Sequence, residues 1–81
     1  MKLWIGNVAP ATSDEELRAF LAKYAPGLEI KTIQRVDGDG SRPAVSIEFV
    51  DTPYGSVENV TLRLHRMHWK GRELFAQTLS R

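Results

Sequence analysis

The sequence contains no cysteine, which excludes a disulfide framework and any thiolate metal site. It has no apolar run approaching the ~20 residues of a membrane span, and it enters a strand-like stretch at once, with no signal-peptide pattern. A soluble, cytoplasmic protein is therefore expected. A strong charge of either sign is also missing: the net charge is +1, so the overall balance selects no polyanionic partner. The motifs of common catalysts are absent too. There is no GxSxG, no cysteine nucleophile and no Gly-Lys-Ser/Thr phosphate loop. Gly38-x-Gly40 reads as a hairpin turn, with no helix after it to cradle a phosphate. His65 and His68 stand three apart near a helix end, which is ligand spacing, but zinc asks for three or four donors and no third is evident. They read as solvated histidines near a helix C-terminus. Asp37, Asp39 and Glu48 do not make a calcium loop, because its turn-glycine position holds Arg42 and its flanks are strands. No enzyme, metal site or cofactor is expected.

What is present suits one small domain over residues 1–81. A chain of 81 residues buries roughly 60% of its unfolded surface, enough for one compact core. Hydrophobic content of 42% and charged content of 26% are ordinary for a globular protein. The charge is unevenly spread. Residues 1–59 hold 6 basic and 9 acidic groups (−3), whereas residues 60–81 hold Arg63, Arg66, Lys70, Arg72 and Arg81 against Glu73 alone (+4). Such asymmetry marks either an anion-facing edge or a solvated helix face.

The stretch at residues 2–8 alternates as a strand does, with Leu3 and Ile5 on one face and Lys2, Trp4 and Gly6 on the other. Pro10 sits in a loop. Ser13 then reads as a helix N-cap with Glu16 completing a capping box, and Asp14, Glu15 and Glu16 suit the positive end of a helix dipole. Leu17, Phe20, Leu21 and Tyr24 form one apolar helical stripe, ended by Pro26-Gly27. Residues 28–36 read as a second strand. Ile30 and Ile33 are three apart, so a bulge is expected between them, and which of Lys31, Thr32, Gln34 and Arg35 face outward is left open. Residues 37–40 make a turn. In the third strand Val45, Ile47 and Phe49 share one face, and Ala44, Ser46 and Glu48 the other. The second helix starts either with Thr52 as cap and Pro53 first in the helix, the preferred choice, or with a Tyr54-Gly55 turn and Ser56 as cap. Its stripe is Val57, Val60 and Leu64. Lys70-Gly71 is a turn signal, and residues 73–79 form the last strand, with Leu74 and Ala76 opposite Phe75 and Gln77.

The order is β-α-β-β-α-β. This predicts an α+β, ferredoxin-like fold: a four-stranded antiparallel sheet with both helices on one face and the other face open. Trp4, Ala44, Ser46, Glu48, Phe75 and Gln77 belong to the open face, with Trp4 and Phe75 as neighbours.

Nearly the whole chain resembles the RNA-recognition-motif (RRM) family. Residues 3–8, LWIGNV, match its first-strand hexamer. Ser13 through Tyr24 resembles its first-helix pattern, and LHRMHWKGR at 64–72 resembles its Leu-Asn-Gly-x-x-apolar-x-Gly-Arg segment. RPAVSIEF at 42–49 corresponds to its third-strand octamer. The departures fall within the octamer. Its third and fifth positions, where aromatics stack on bases in the family, hold Ala44 and Ser46, and its second holds Pro43. Arg42 is retained. Trp69 aligns with a semi-buried apolar position and reads as structural. Enzymes of this topology such as acylphosphatase hold phosphate in a Gly-rich turn containing arginine after strand one, and residues 8–12 have neither.

The resemblance implies a binding partner: single-stranded RNA, or single-stranded DNA by the same chemistry. Trp4 and Phe75 are the candidate stacking rings, and Lys2, Arg42, Ser46, Arg72 and Gln77 the candidate polar and phosphate contacts. Asn7 is expected to fix the start of the loop after strand one. Binding is expected to be weak and of low specificity, because the octamer has lost its rings. Two alternatives stay open. The rings could cover each other or be covered by residues 78–81. Otherwise the domain could bind a protein partner through the same face or the basic C-terminal third.

Overall fold

The structure, a computed structural model, describes residues 2–36, 43–50 and 55–79. The elements are β1 (Lys2–Gly6), α1 (Asp14–Tyr24), β2 (Glu29–Val36), β3 (Ala44–Val50), α2 (Ser56–Leu64), β4 (His68–Trp69), β5 (Arg72–Glu73) and β6 (Phe75–Leu79). β2, β3, β1 and β6 form the four-stranded antiparallel sheet in that order, and β4 pairs β5 as a separate small hairpin. The main sheet and two helices are the predicted ferredoxin-like α+β arrangement.

One side of every element supplies the core. Leu3, Ile5, Val45, Ile47, Phe49 and Ala76 from the sheet pack with Leu17, Phe20 and Leu21 of α1 and Val57, Val60 and Leu64 of α2. Ile47 is fully buried in this cluster, so the register of β3 is the one its alternation selects. A slip of one residue would have sent every side chain of the strand to the wrong face.

Local chemistry explains the ends of α1. The Ser13 side chain accepts from the Glu16 amide at 3.1 Å, and Glu16 accepts from the Ser13 amide at 2.9 Å, completing the capping box. Lys70 reaches back to the same Glu16 carboxylate at 2.7 Å. This bond, with the Ser13 amide second, holds the Glu16 carboxyl below the usual carboxylate range. In β2 the register shifts between Ile30 and Thr32, so the bulge falls at Lys31. Ile33 and Arg35 then stand on the helix side, where Arg35 pairs with Asp14, and Thr32 and Gln34 stand on the open side.

Two expectations are corrected. The second helix begins at Ser56 with Gly55 as N-cap, at φ 84°, so Ser56 is its first residue and not its cap; the preferred start at Thr52-Pro53 lies outside the described residues. Gly55 adopts a left-handed conformation that side chains rarely accept, so it belongs at the boundary and not inside the helix. The last strand is also shorter than its pattern suggests. The Leu74 amide donates to the Met67 carbonyl and its carbonyl accepts from the Arg66 amide, both at 2.8 Å. The chain before Phe75 is thus paired with the segment after α2. In the β4–β5 hairpin, Lys70 and Gly71 both have positive φ, as a tight two-residue connection requires.

Candidate nucleic-acid interface

The open face is ordered into three rows by the strand register. In the first, Val36 lies opposite Ala44, and Gly6 opposite Phe75; one further step of the β1–β3 register brings Ala44 beside Gly6. The second runs Gln34, Ser46, Trp4, Gln77, and the third Thr32, Glu48, Lys2, Leu79. The first row is apolar and the other two, Trp4 apart, are largely polar.

Trp4 starts in the second row, but its ring occupies the first. A Cβ added to Gly6 would stand 2.5 and 2.8 Å from two atoms of the six-membered ring of the indole. The ring therefore sits over Gly6, in space that a side chain there would fill. Gly6 and Ala44 are buried and Trp4 is half-buried. The indole is thus packed against the strand at Gly6 and still partly open to solvent. Phe75, opposite Gly6, is 41% exposed. The two rings are diagonal neighbours across the β1–β6 pair, as the topology requires. The ring contact of Phe75 is with His65, edge-on at 6.1 Å.

His65 is more than a solvated histidine. Its Nδ1 accepts the Ala76 amide at 3.1 Å, capping the outer edge of β6. Periodicity gave no sign of this, because the contact joins a helix C-cap to a strand eleven residues away. Among the described residues no cluster of three or more His, Asp or Glu side chains could hold a metal.

The polar candidates divide. Lys2 and Gln77 are on the open face in register with Glu48 and Trp4. Ser46 is there too, but only 9% exposed, and it presents little more than its hydroxyl edge. Arg72 lies off the main sheet, in β5, and donates to Asn7 Oδ1 at 3.3 Å. Asn7 has φ 61°, and its Nδ2 donates to the Glu73 carbonyl at 2.9 Å. It ties the end of β1 to the β5 segment, as expected of a residue that fixes the loop. Arg42 lies outside the described residues.

Much of the basic C-terminal third is engaged by the chain itself. Arg63 donates to the Tyr24 carbonyl at 3.2 Å, Arg66 is 3.7 Å from Glu73, and Lys70 holds Glu16. Trp69 stacks on Phe20 with ring centroids 4.2 Å apart, joining the β4–β5 hairpin to α1. It is structural, as its alignment implied.

No family model matches the sequence, and no curated protein matches it. Solved structures do match. Pes4 RRM3 has a TM-score of 0.78 at 14% identity, covering 99% of this chain and 92% of that one. The RNA-binding protein PG1 has 0.72 at 20% identity over 100% and 96%. The Rna15 RRM with bound RNA (GU) has 0.74 at 16% identity over 99% and 83%. The chain is an RRM-like domain in fold.

Proposed function

We propose that this domain binds single-stranded RNA on its open sheet face, with Trp4 and Phe75 as stacking platforms and Lys2 and Gln77 beside them. The observation that carries this reading is the seating of Trp4. Gly6 is small, and this lets the indole settle over the strand while staying partly exposed. A partly exposed ring held on the sheet is what a stacked base needs, and base–aromatic stacking contributes about 1–3 kcal/mol per base. Its position offsets the missing rings at Ala44 and Ser46. The RRM-like fold supports an RNA partner and fits a binding domain better than a catalyst. One of the similar structures, the Rna15 RRM, holds RNA. Arg42 and Arg72 complete the proposal as phosphate contacts.

The test is a chemical-shift titration with random-sequence single-stranded RNA at low salt. Shifts confined to Trp4, Phe75 and strands β1, β3 and β6 are expected. Absence of shifts at millimolar RNA would refute the reading and favour a protein-interaction module.

A further inference from the structure

We propose that the end of the open face away from the rings is a guanine-reading niche built on Glu48. The proposal rests on the sheet-face reading above and deepens it. Lys2, Thr32, Gln34, Ser46 and Glu48 line a shallow depression of about 50 Å³. The register makes it: Glu48 stands between Lys2 on β1 and Thr32 on β2, and Ser46 lies opposite Gln34. Because the Trp4 ring folds over Gly6, the space between the second and third rows is left to small and polar groups. Among the described residues, none of these five side chains takes part in a hydrogen bond or ion pair within the chain. Lys2 and Glu48 are in register but remain unpaired with each other. Among the described residues the niche is an acceptor flanked by donors that no side chain of the chain pairs.

Its size admits the edge of a base and not a whole one, and its chemistry selects the edge. A carboxylate only accepts, through two oxygens. Guanine alone among the four bases carries two adjacent donors on its Watson–Crick edge, N1–H and the N2 amine, and these match a carboxylate pairwise. Its O6, next along that edge, then needs a donor, which the Lys2 ammonium or the Gln34 carboxamide supplies. Adenine and cytosine set a ring-nitrogen lone pair beside their amine, facing one carboxylate oxygen. Uracil flanks its single N–H with two carbonyls. The same negative charge repels phosphate, so the strand enters base-first. Glu48 lies two rows, about 13 Å along the strands, from the Gly6 row that the indole occupies, so a base read there belongs to the same strand as one stacked on Trp4 without being in contact with it. Binding that is otherwise tolerant of sequence would thus be selective at one position.

The experiment measures affinities of wild type and Glu48→Gln for RNA octamers of fixed length, a uridine background with one central G, A, C, U or inosine. Circular dichroism confirms that the variant is folded. Wild type should prefer guanine over the other standard bases by about tenfold or more, with inosine, which lacks the N2 amine, in between. Glu48→Gln should erase the preference while leaving the uridine octamer bound at least as tightly. If the variant instead gains affinity equally for every octamer, Glu48 acts only through its charge and the proposal is overturned. If wild type binds all octamers alike and Trp4→Ala weakens them all, the niche is refuted while the sheet-face reading stands. Binding to no octamer refutes both. Guanosine monophosphate bound as tightly as the guanine octamer would reassign the niche to a free nucleotide and overturn the strand reading.

Discussion

Replacing Gly6 by alanine examines the seating of Trp4 without touching the ring itself. The added methyl would stand 2.5 and 2.8 Å from indole carbons, whereas carbon atoms in contact settle at about 3.5–4.0 Å. The ring must therefore retreat by about 1 Å or swing off the strand. It is the far end of a flexible side chain, so the fold can absorb the change. Alanine also gives the unfolded chain fewer conformations, a gain of about 0.4–1 kcal/mol where the native backbone suits it, and Gly6 is not among the glycines with positive φ. Stability should consequently change by less than about 1 kcal/mol. RNA affinity, in contrast, should fall by a large part of the 1–3 kcal/mol that a stacked base contributes. The assay pairs urea unfolding with RNA titration, following the indole N–H resonance of Trp4. Trp4→Ala combined with Gly6→Ala should cost little more than Trp4→Ala alone, because both act through one ring. An indole resonance and RNA affinity that are unmoved by Gly6→Ala would show that the ring does not lie on Gly6, and the platform argument would fail.

Other expectations concern the frame around the face. Ser13→Ala removes the α1 cap and should destabilise the domain by about 1 kcal/mol, read by thermal or urea unfolding, with Ser13→Asp restoring most of the loss. The Glu16 carboxyl is held low by Lys70 and the Ser13 amide. Its stabilising contribution is therefore complete above the ordinary carboxylate value and is lost as pH falls through the lowered one. Glu16→Gln should flatten that acid limb of the stability–pH curve, and an unchanged limb would remove the Lys70 bond from the account. Arg42→Ala should lower the slope of log affinity against log salt by about one phosphate's share with little change in base preference; an unaltered slope would take Arg42 out of the interface.

The parts of this molecule that follow simple periodicity were legible in the sequence. Leu3 and Ile5 alternate, Leu17, Phe20 and Leu21 recur at helical spacing, and Ile47 fixes β3, so the fold and the membership of the open face could be read. Positions set by contacts distant in sequence could not. The bulge at Lys31 is a pairing event between two strands, and only the register shows that Thr32 faces outward while Arg35 reaches Asp14. The β4–β5 hairpin has two-residue strands, too short for any period, and only its Lys70-Gly71 turn announced it. For α2, proline's preference for the first helical turn outweighed the left-handed Gly55 that sets the boundary. Of the site, Trp4 and Phe75 were found as open-face rings. The support of Trp4 by Gly6 and of Phe75 by His65 was not visible, since neither depends on a local pattern.

The central claim is that the partly exposed indole of Trp4 is where a base is held. Fluorescence anisotropy of a labelled single-stranded RNA, measured against wild type, Trp4→Ala and Phe75→Ala at one low salt concentration, tests it most directly. The account expects Trp4→Ala to weaken binding by about 1–3 kcal/mol, with Phe75→Ala costing the same or less because β6 is an edge strand. Affinity unchanged in Trp4→Ala but abolished by replacing Arg63, Arg66 and Lys70 would contradict it and place binding on the basic C-terminal third.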